Sequence, residues 1–269
     1  MSGRVETERR GGIAEIRIDH PERRNAMSVS MWAQLAEGCA SLASDPAVRC
    51  VIVRGAGEVA FVSGADISEF ETVRSSAEAE QSYGDVSGRA FAALATLPMP
   101  VLAAIRGFCI GGGVALSLAC DLRYAADDAV FAVPAARLGL GYALGGIQAA
   151  VQLVGPAATK EIFFTARRYP AAEALGMGLV DRVFPAPDLL GEVQSLAEQI
   201  AANAPLTLRA VKLAVRECLR GPAERPSLGD GEGARAAVQR AIEACFESED
   251  YREGVRAFLE KRAPEFRGR

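Results

Sequence analysis

The residues whose types and spacing point most directly to chemistry lie in VLAAIRGFCIGGGVALSLACD, Val101–Asp121. This stretch reads as a short buried strand, a tight turn, three consecutive glycines and a helix of small residues. Gly111, Gly112 and Gly113 leave backbone amides uncovered at a helix N-terminus, where the positive end of the dipole sits. Amides in that setting hold a negative oxygen, so the implied reaction is one in which a carbonyl gains negative charge. A second junction, Val62-Ser63-Gly64-Ala65-Asp66, has the same form, a strand-like segment running into small residues. Either junction alone is explained by glycine permitting tight helix–strand packing. The pair, both leaving buried strands, favours two N–H groups converging on one oxygen.

Other uses of these residue types fit less well. IGGGVALSLACD lacks GxGxxG and the acidic residue that dinucleotide binding needs, and the chain has neither GxSxG nor GxxxxGK[ST]. The single histidine, His20, lies in DHPERRN after a strand and reads as a solvated turn residue rather than a general base. The six cysteines (Cys39, Cys50, Cys109, Cys120, Cys218 and Cys245) show no CxxC spacing, so no metal is expected. They read as small hydrophobes in a reducing compartment.

These residues must be positioned by a mixed set of elements. Residues 5–18 read as a hairpin turning at Gly11-Gly12. Ser28 or Ser30 caps a helix whose buried stripe is Trp32, Leu35, Cys39 and Leu42, ended by Asp45-Pro46. Strands are expected at Cys50–Val53, Ala60–Val62, Val101–Ile105, Leu122–Ala125 and Val130–Val133, with a polar helix around 75–95. Asp127 and Asp128 mark a turn. The segment 136–146 reads as a loop. From Ile147 onward the pattern is helical, with breaks at Gly155-Pro156, Gly176–Gly178 and Pro185–Pro187, and a mobile loop at 221–233. The organisation is α/β, with a core over 1–187 and a helical region over 188–269.

Composition bounds the function classes. The chain has 269 residues, half of them hydrophobic, enough for a large core. A net charge of −4 and a pI near 5.3 suggest neither nucleic acid nor an anionic membrane as partner. The polar start MSGRVETERRGG is unlike a signal peptide, and no apolar run is long enough to span a bilayer, so a cytoplasmic protein is expected.

Several segments, in order, resemble the crotonase superfamily, the enoyl-CoA hydratase/isomerase family: PERRNAMS at 21–28, FVSGADISEF at 61–70, the GGG helix with ACDLRYA at 119–125, KEIFFTA at 160–166 and AFLEKRAPEF at 257–266. The resemblance implies a ββα spiral with a C-terminal helical trimerisation region, assembled as a trimer or a dimer of trimers. It implies an acyl-CoA thioester as substrate, coenzyme A arriving as part of it and no separate cofactor. By position, the oxyanion amides would be those of Ala65 and Gly112. The backbone at Arg24, Asn25 and Ala26, together with Ser63, Asp66, Ile67, Phe258 and Lys261, would meet the coenzyme A portion. Lys261 suits a phosphate as a point charge, though a lysine on a surface helix needs no such role. Asp66 also reads as a helix cap, and Glu69 lies nearby.

The chain departs from the family at two positions. Hydratases of the family carry two glutamates for acid–base work on water and the α-carbon. Their places are held here by Ala115 and Ala135. The remaining polar candidate is Tyr142. The loop Pro134–Gly145 and the run SEDYREGVRAFLEKRAPEF resemble methylmalonyl-CoA decarboxylase, a family member with a tyrosine there but a histidine where this chain has Ala65. Tyr142 is equally explained as a packing residue with its hydroxyl on the backbone. Three readings stand: a hydratase/isomerase-type enzyme using other residues, a decarboxylase of malonyl-type thioesters using Tyr142, and a non-catalytic binder of CoA thioesters.

Overall fold

A computed structural model describes residues 3–66, 77–219 and 230–269. The hairpin forms as expected: β1 (Arg4–Arg10) pairs antiparallel with β2 (Ile13–Asp19) across Gly11-Gly12. In β2, Ala14, Ile16 and Ile18 fall on the buried face at strand period. Ser28 caps α1 (Val29–Ala43), its hydroxyl accepting from Met31 N–H at 3.2 Å. The stripe Trp32, Leu35, Cys39 and Leu42 is buried with Met31.

From there the chain alternates between two sheets. β3 (Cys50–Gly55), β5 (Val101–Ile105) and β7 (Leu122–Ala126) extend the first sheet, in the order β1-β2-β3-β5-β7-β10. Each is followed by a short strand in the second sheet: β4 (Ala60–Val62), β6 (Phe108–Ile110) and β8 (Val130–Ala132). Helices α2 (Ala77–Ala95), α3 (Gly112–Leu118) and α4 (Ala135–Leu138) follow these strand pairs in turn. This is a ββα spiral. The central strands are parallel and buried on both faces, hence their near-continuous apolar runs. Val51 and Val53 enter the core between the sheets, whereas Cys50 and Ile52 face the other way, under a helix from the C-terminal region.

That helix is α7. The chain reaches it through α5 (Leu144–Thr165), kinked at Gly155-Pro156 as expected, then β9 (Tyr169–Pro170), α6 (Ala171–Gly176) and β10 (Arg182–Phe184). α7 (Leu189–Ala201) buries Leu189, Val193 and Ala197 against the first sheet. α8 (Pro205–Leu219), α9 (Asp230–Glu247) and α10 (Glu249–Glu260) complete the helical region. Among the described residues no helix is long and apolar enough to cross a membrane.

Four expectations are corrected or only partly met. β9 and β10 are strands inside a stretch expected to be helical. At two and three residues they are too short to show a period, and they form because β8 and β7 offer them an edge. The expected loop 136–146 holds the rest of α4, stopped by Gly139 in a left-handed cap, and the start of α5. His20 is buried, not solvated: the turn after it folds back, and its Nδ1 lies 3.0 Å from the Ala26 carbonyl oxygen. Of the expected loop 221–233, most lies outside the described residues, and Asp230–Gly233 begin α9.

Candidate active site

β4 and β6 pair in parallel, so the two glycine-containing junctions leave the second sheet side by side at the same end of the strands. Gly64 adopts φ +108°, a conformation that disfavours other residues. A Cβ on Gly113 would strike the Val62 carbonyl oxygen, so only glycine lets α3 start this close to β4. The loops touch: a Cβ on Gly112 would stand 3.6 Å from Gly64 Cα and 3.7 Å from the Ala65 nitrogen.

Hydrogen bonding orients both amides. Met27 donates to the Gly64 carbonyl at 2.8 Å and accepts from Asp66 N–H at 3.0 Å. In extended chain successive amides point opposite ways, so Ala65 N–H points away from Met27. Gly111 N–H is taken by the Ala132 carbonyl at 2.8 Å, and Gly112 opens α3, where N–H groups lack intrahelical partners. Among the described residues neither the Ala65 nor the Gly112 N–H donates to any group. Two donors on adjoining loops can bind one oxygen.

Both residues line a cavity of about 1130 Å³. Ala115 and Ala135 present methyl groups to it. The one carboxylate among its described lining residues is Asp121, which accepts from Val101 N–H and from the Lys212 ammonium, each at 2.7 Å. Tyr142 also lines the cavity. Its ring packs edge-on against Phe163 with centroids 4.8 Å apart, and its hydroxyl lies 3.5 Å from the Gly111 carbonyl oxygen, a weak bond beside Gly112. Burial pushes the Tyr142 phenol up to about 12, so it is neutral at ordinary pH.

Sequence reasoning missed part of this wall. Trp32, read as core, donates its indole N–H to the Tyr83 hydroxyl at 2.8 Å, and both line the cavity. Tyr83, Ser87 and Phe91 stand at i, i+4 and i+8 on α2, the periodic signal that identifies this face.

The residues expected near coenzyme A divide. Arg24 is exposed, its guanidinium 5.1 Å from the centre of the Phe108 ring. Ser63 is tied to the same turn, its hydroxyl donating to Arg23 O at 3.1 Å and its N–H to Arg24 O at 3.2 Å. Asn25 is a framework residue, 1% exposed. Its side chain accepts from His20 N–H at 2.9 Å and donates to the Ala56 and Ala60 carbonyls at 3.0 and 2.7 Å. Ala26 is buried, with its carbonyl facing His20. Asp66 is buried at the junction. Ile67 and Glu69 lie outside the described residues. Phe258, 84% exposed, lines a separate apolar groove of about 680 Å³ between α8, α9 and α10. Lys261 forms the C-cap of α10, and neither residue lines the cavity within one chain.

Comparisons with known proteins agree with this architecture. Residues 8–269 match the family model described as enoyl-CoA hydratase/isomerase. The chain is 34% identical to the crotonyl-CoA hydratase of Syntrophomonas wolfei over 254 residues, 94% of each protein. It is 35% identical to the carnitinyl-CoA dehydratase of Escherichia coli O157:H7 over the full length of both. Among solved structures, an enoyl-CoA hydratase/carnitine racemase from Magnetospirillum magneticum superposes with a TM-score of 0.90 at 34% identity, covering 98% of this chain and 96% of the other. An enoyl-CoA hydratase from Bacillus anthracis gives 0.88 at 31% identity, covering 98% and 99%.

Proposed function

The chain belongs to the enoyl-CoA hydratase/isomerase family, and we propose that it is an enzyme that binds an acyl-CoA thioester with the carbonyl oxygen between the N–H groups of Ala65 and Gly112. The observation that carries this reading is the contact of the two junctions, with both amides uncommitted. Loss of a proton or of CO₂ from the α-carbon of such a thioester leaves the bonding pair behind as an enolate, whose charge sits on that oxygen. Fixed donors stabilise the charge without having to reorganise, an effect on the order of 3 kcal/mol per donor.

Arg24, Ser63 and Asp66, on the turns beside the Ala65 junction, would meet the coenzyme A portion. Phe258 and Lys261 would reach it from a second copy of the chain. Exposed Phe246 and Leu259 supply an apolar surface for a homotrimer or a dimer of trimers. The free cysteines suit a reducing cytoplasm.

A specific observation favours decarboxylation as a second, narrower reading. Alanine methyls at 115 and 135 neither hold water nor accept a proton, whereas Tyr142 is a neutral hydroxyl beside Gly112. A malonyl-type thioester needs no base. Its C–C bond breaks, CO₂ leaves, and the bonding pair enters the thioester as the enolate. The Tyr142 hydroxyl then gives its proton to the α-carbon and recovers one from solvent.

Incubation with enoyl-CoA and malonyl-type CoA esters, followed by mass spectrometry, tests these readings. CO₂ loss from a malonyl-type ester supports the second reading. Rapid hydration of crotonyl-CoA would sink the importance given to Ala115 and Ala135. Binding without turnover of either would leave a CoA-thioester binder.

A further inference from the structure

We infer that the far end of the cavity is an anion subsite, and that the acyl group carries a distal carboxylate; this rests on the acyl-CoA reading above. Ala115, Leu118 and Ala119, on α3 and its C-cap, line one wall with Asp121 and Leu122 beyond them, so the cavity runs along α3 from Gly112 toward Asp121. The helix of seven residues is about 10 Å long. Facing it, Leu208, Val211 and Val215 of α8 make the opposite wall apolar. Two bonds hold α8 across the cavity: Lys212 Nζ donates to the Met99 carbonyl at 2.9 Å, and Gln152 Nε2 donates to the Leu219 carbonyl at 2.7 Å.

Three cations line that end: Arg123, Lys212 and Arg216. Arg123, 5% exposed, is matched by Asp181 at 3.1 Å, yet its buried Nε–H has no partner. Lys212 is matched by Asp121 at 2.7 Å. Arg216 stands one helical turn beyond Lys212, and among the described residues it has neither an ion pair nor a hydrogen bond. Among the described residues one positive charge is therefore left over beside an apolar channel. Hydrocarbon walls suit a methylene chain, and a planar guanidinium at their end suits a carboxylate. The ligand class that fits is the mono-CoA thioester of a medium-length dicarboxylic acid.

Two saturated thioesters of equal chain length, suberyl-CoA and octanoyl-CoA, separate the charge from the chain. Isothermal titration of the intact protein should show suberyl-CoA binding about tenfold more tightly. The ratio should fall to about one in Arg216→Gln, and Arg216→Lys should restore part of it. An unchanged circular dichroism melt would show that both variants fold. Equal affinity in the wild type, or a preference that survives Arg216→Gln, overturns the inference and leaves the acyl-CoA reading in place. Binding of neither ester overturns the acyl-CoA reading, and the inference with it.

Discussion

Gly112→Ala isolates the proposed oxyanion site from the fold around it. Gly112 has no positive φ, so alanine fits its backbone without strain. The new methyl would meet Trp32 Cζ2 at 3.5 Å and Gly64 Cα at 3.6 Å, ordinary van der Waals distances, so the core need not shift. It would also stand 3.7 Å from the Ala65 nitrogen, where an oxygen bound to both amides must fit. An oxygen held about 3 Å from each nitrogen is crowded off at least one of them. Losing one donor costs about 2.7–4 kcal/mol of transition-state stabilisation, or roughly 10²–10³ in kcat. The assay is kcat and KM on the thioester that the substrate screen identifies, beside a urea melt. Gly113→Ala is the contrasting variant: its methyl collides with the Val62 carbonyl oxygen, so it should lose stability first. If Gly112→Ala turns over at the wild-type rate while remaining folded, the two-amide site is refuted.

Three further outcomes are expected. Tyr142→Phe should cut CO₂ release from a malonyl-type thioester by about 10² or more with KM little changed, and wild-type activity should stay level through neutral pH, because the phenol is pushed up to about 12; a decline centred near neutrality would remove Tyr142 from this role. Asn25→Ala strands partners in three hydrogen bonds, two of them buried, and places alanine at φ +58°, so urea denaturation should show a loss of about 2–4 kcal/mol. Alkali should destabilise the fold: burial raises Cys39, Cys50, Cys120 and Tyr142 to about 12, so above about pH 9 the folded chain keeps protons that the unfolded chain loses. Stability should therefore fall as pH rises from about 9 toward 12, and a flat melting temperature over that range would contradict the burial of these groups.

The glycine-rich junctions were legible because their requirement is local. A close approach to β4 and a left-handed turn leave glycine as the residue at Gly113 and Gly64. What brings the junctions together was not legible, since β4 and β6 have three residues each and their pairing is set by the whole sheet. The same limit hid β9 and β10. His20 looked like a turn residue because its burial comes from a backward fold that ends on the Ala26 carbonyl. The framework role of the Asn25 side chain was not legible either, because the carbonyls of Ala56 and Ala60 that it meets are distant in sequence. Lys212 and Arg216 belong to no motif, and their place beside Asp121 follows only from α8 lying across the cavity.

The central claim is that the thioester carbonyl sits between two backbone amides in a cavity whose usual carboxylates are methyl groups. A crystal structure with bound octanoyl-CoA tests it most directly. The carbonyl oxygen should lie about 3 Å from the nitrogens of both Ala65 and Gly112, with Tyr142 adjacent and the acyl chain running along α3. A carbonyl turned away from these amides, or an acyl chain outside the cavity, would contradict the account.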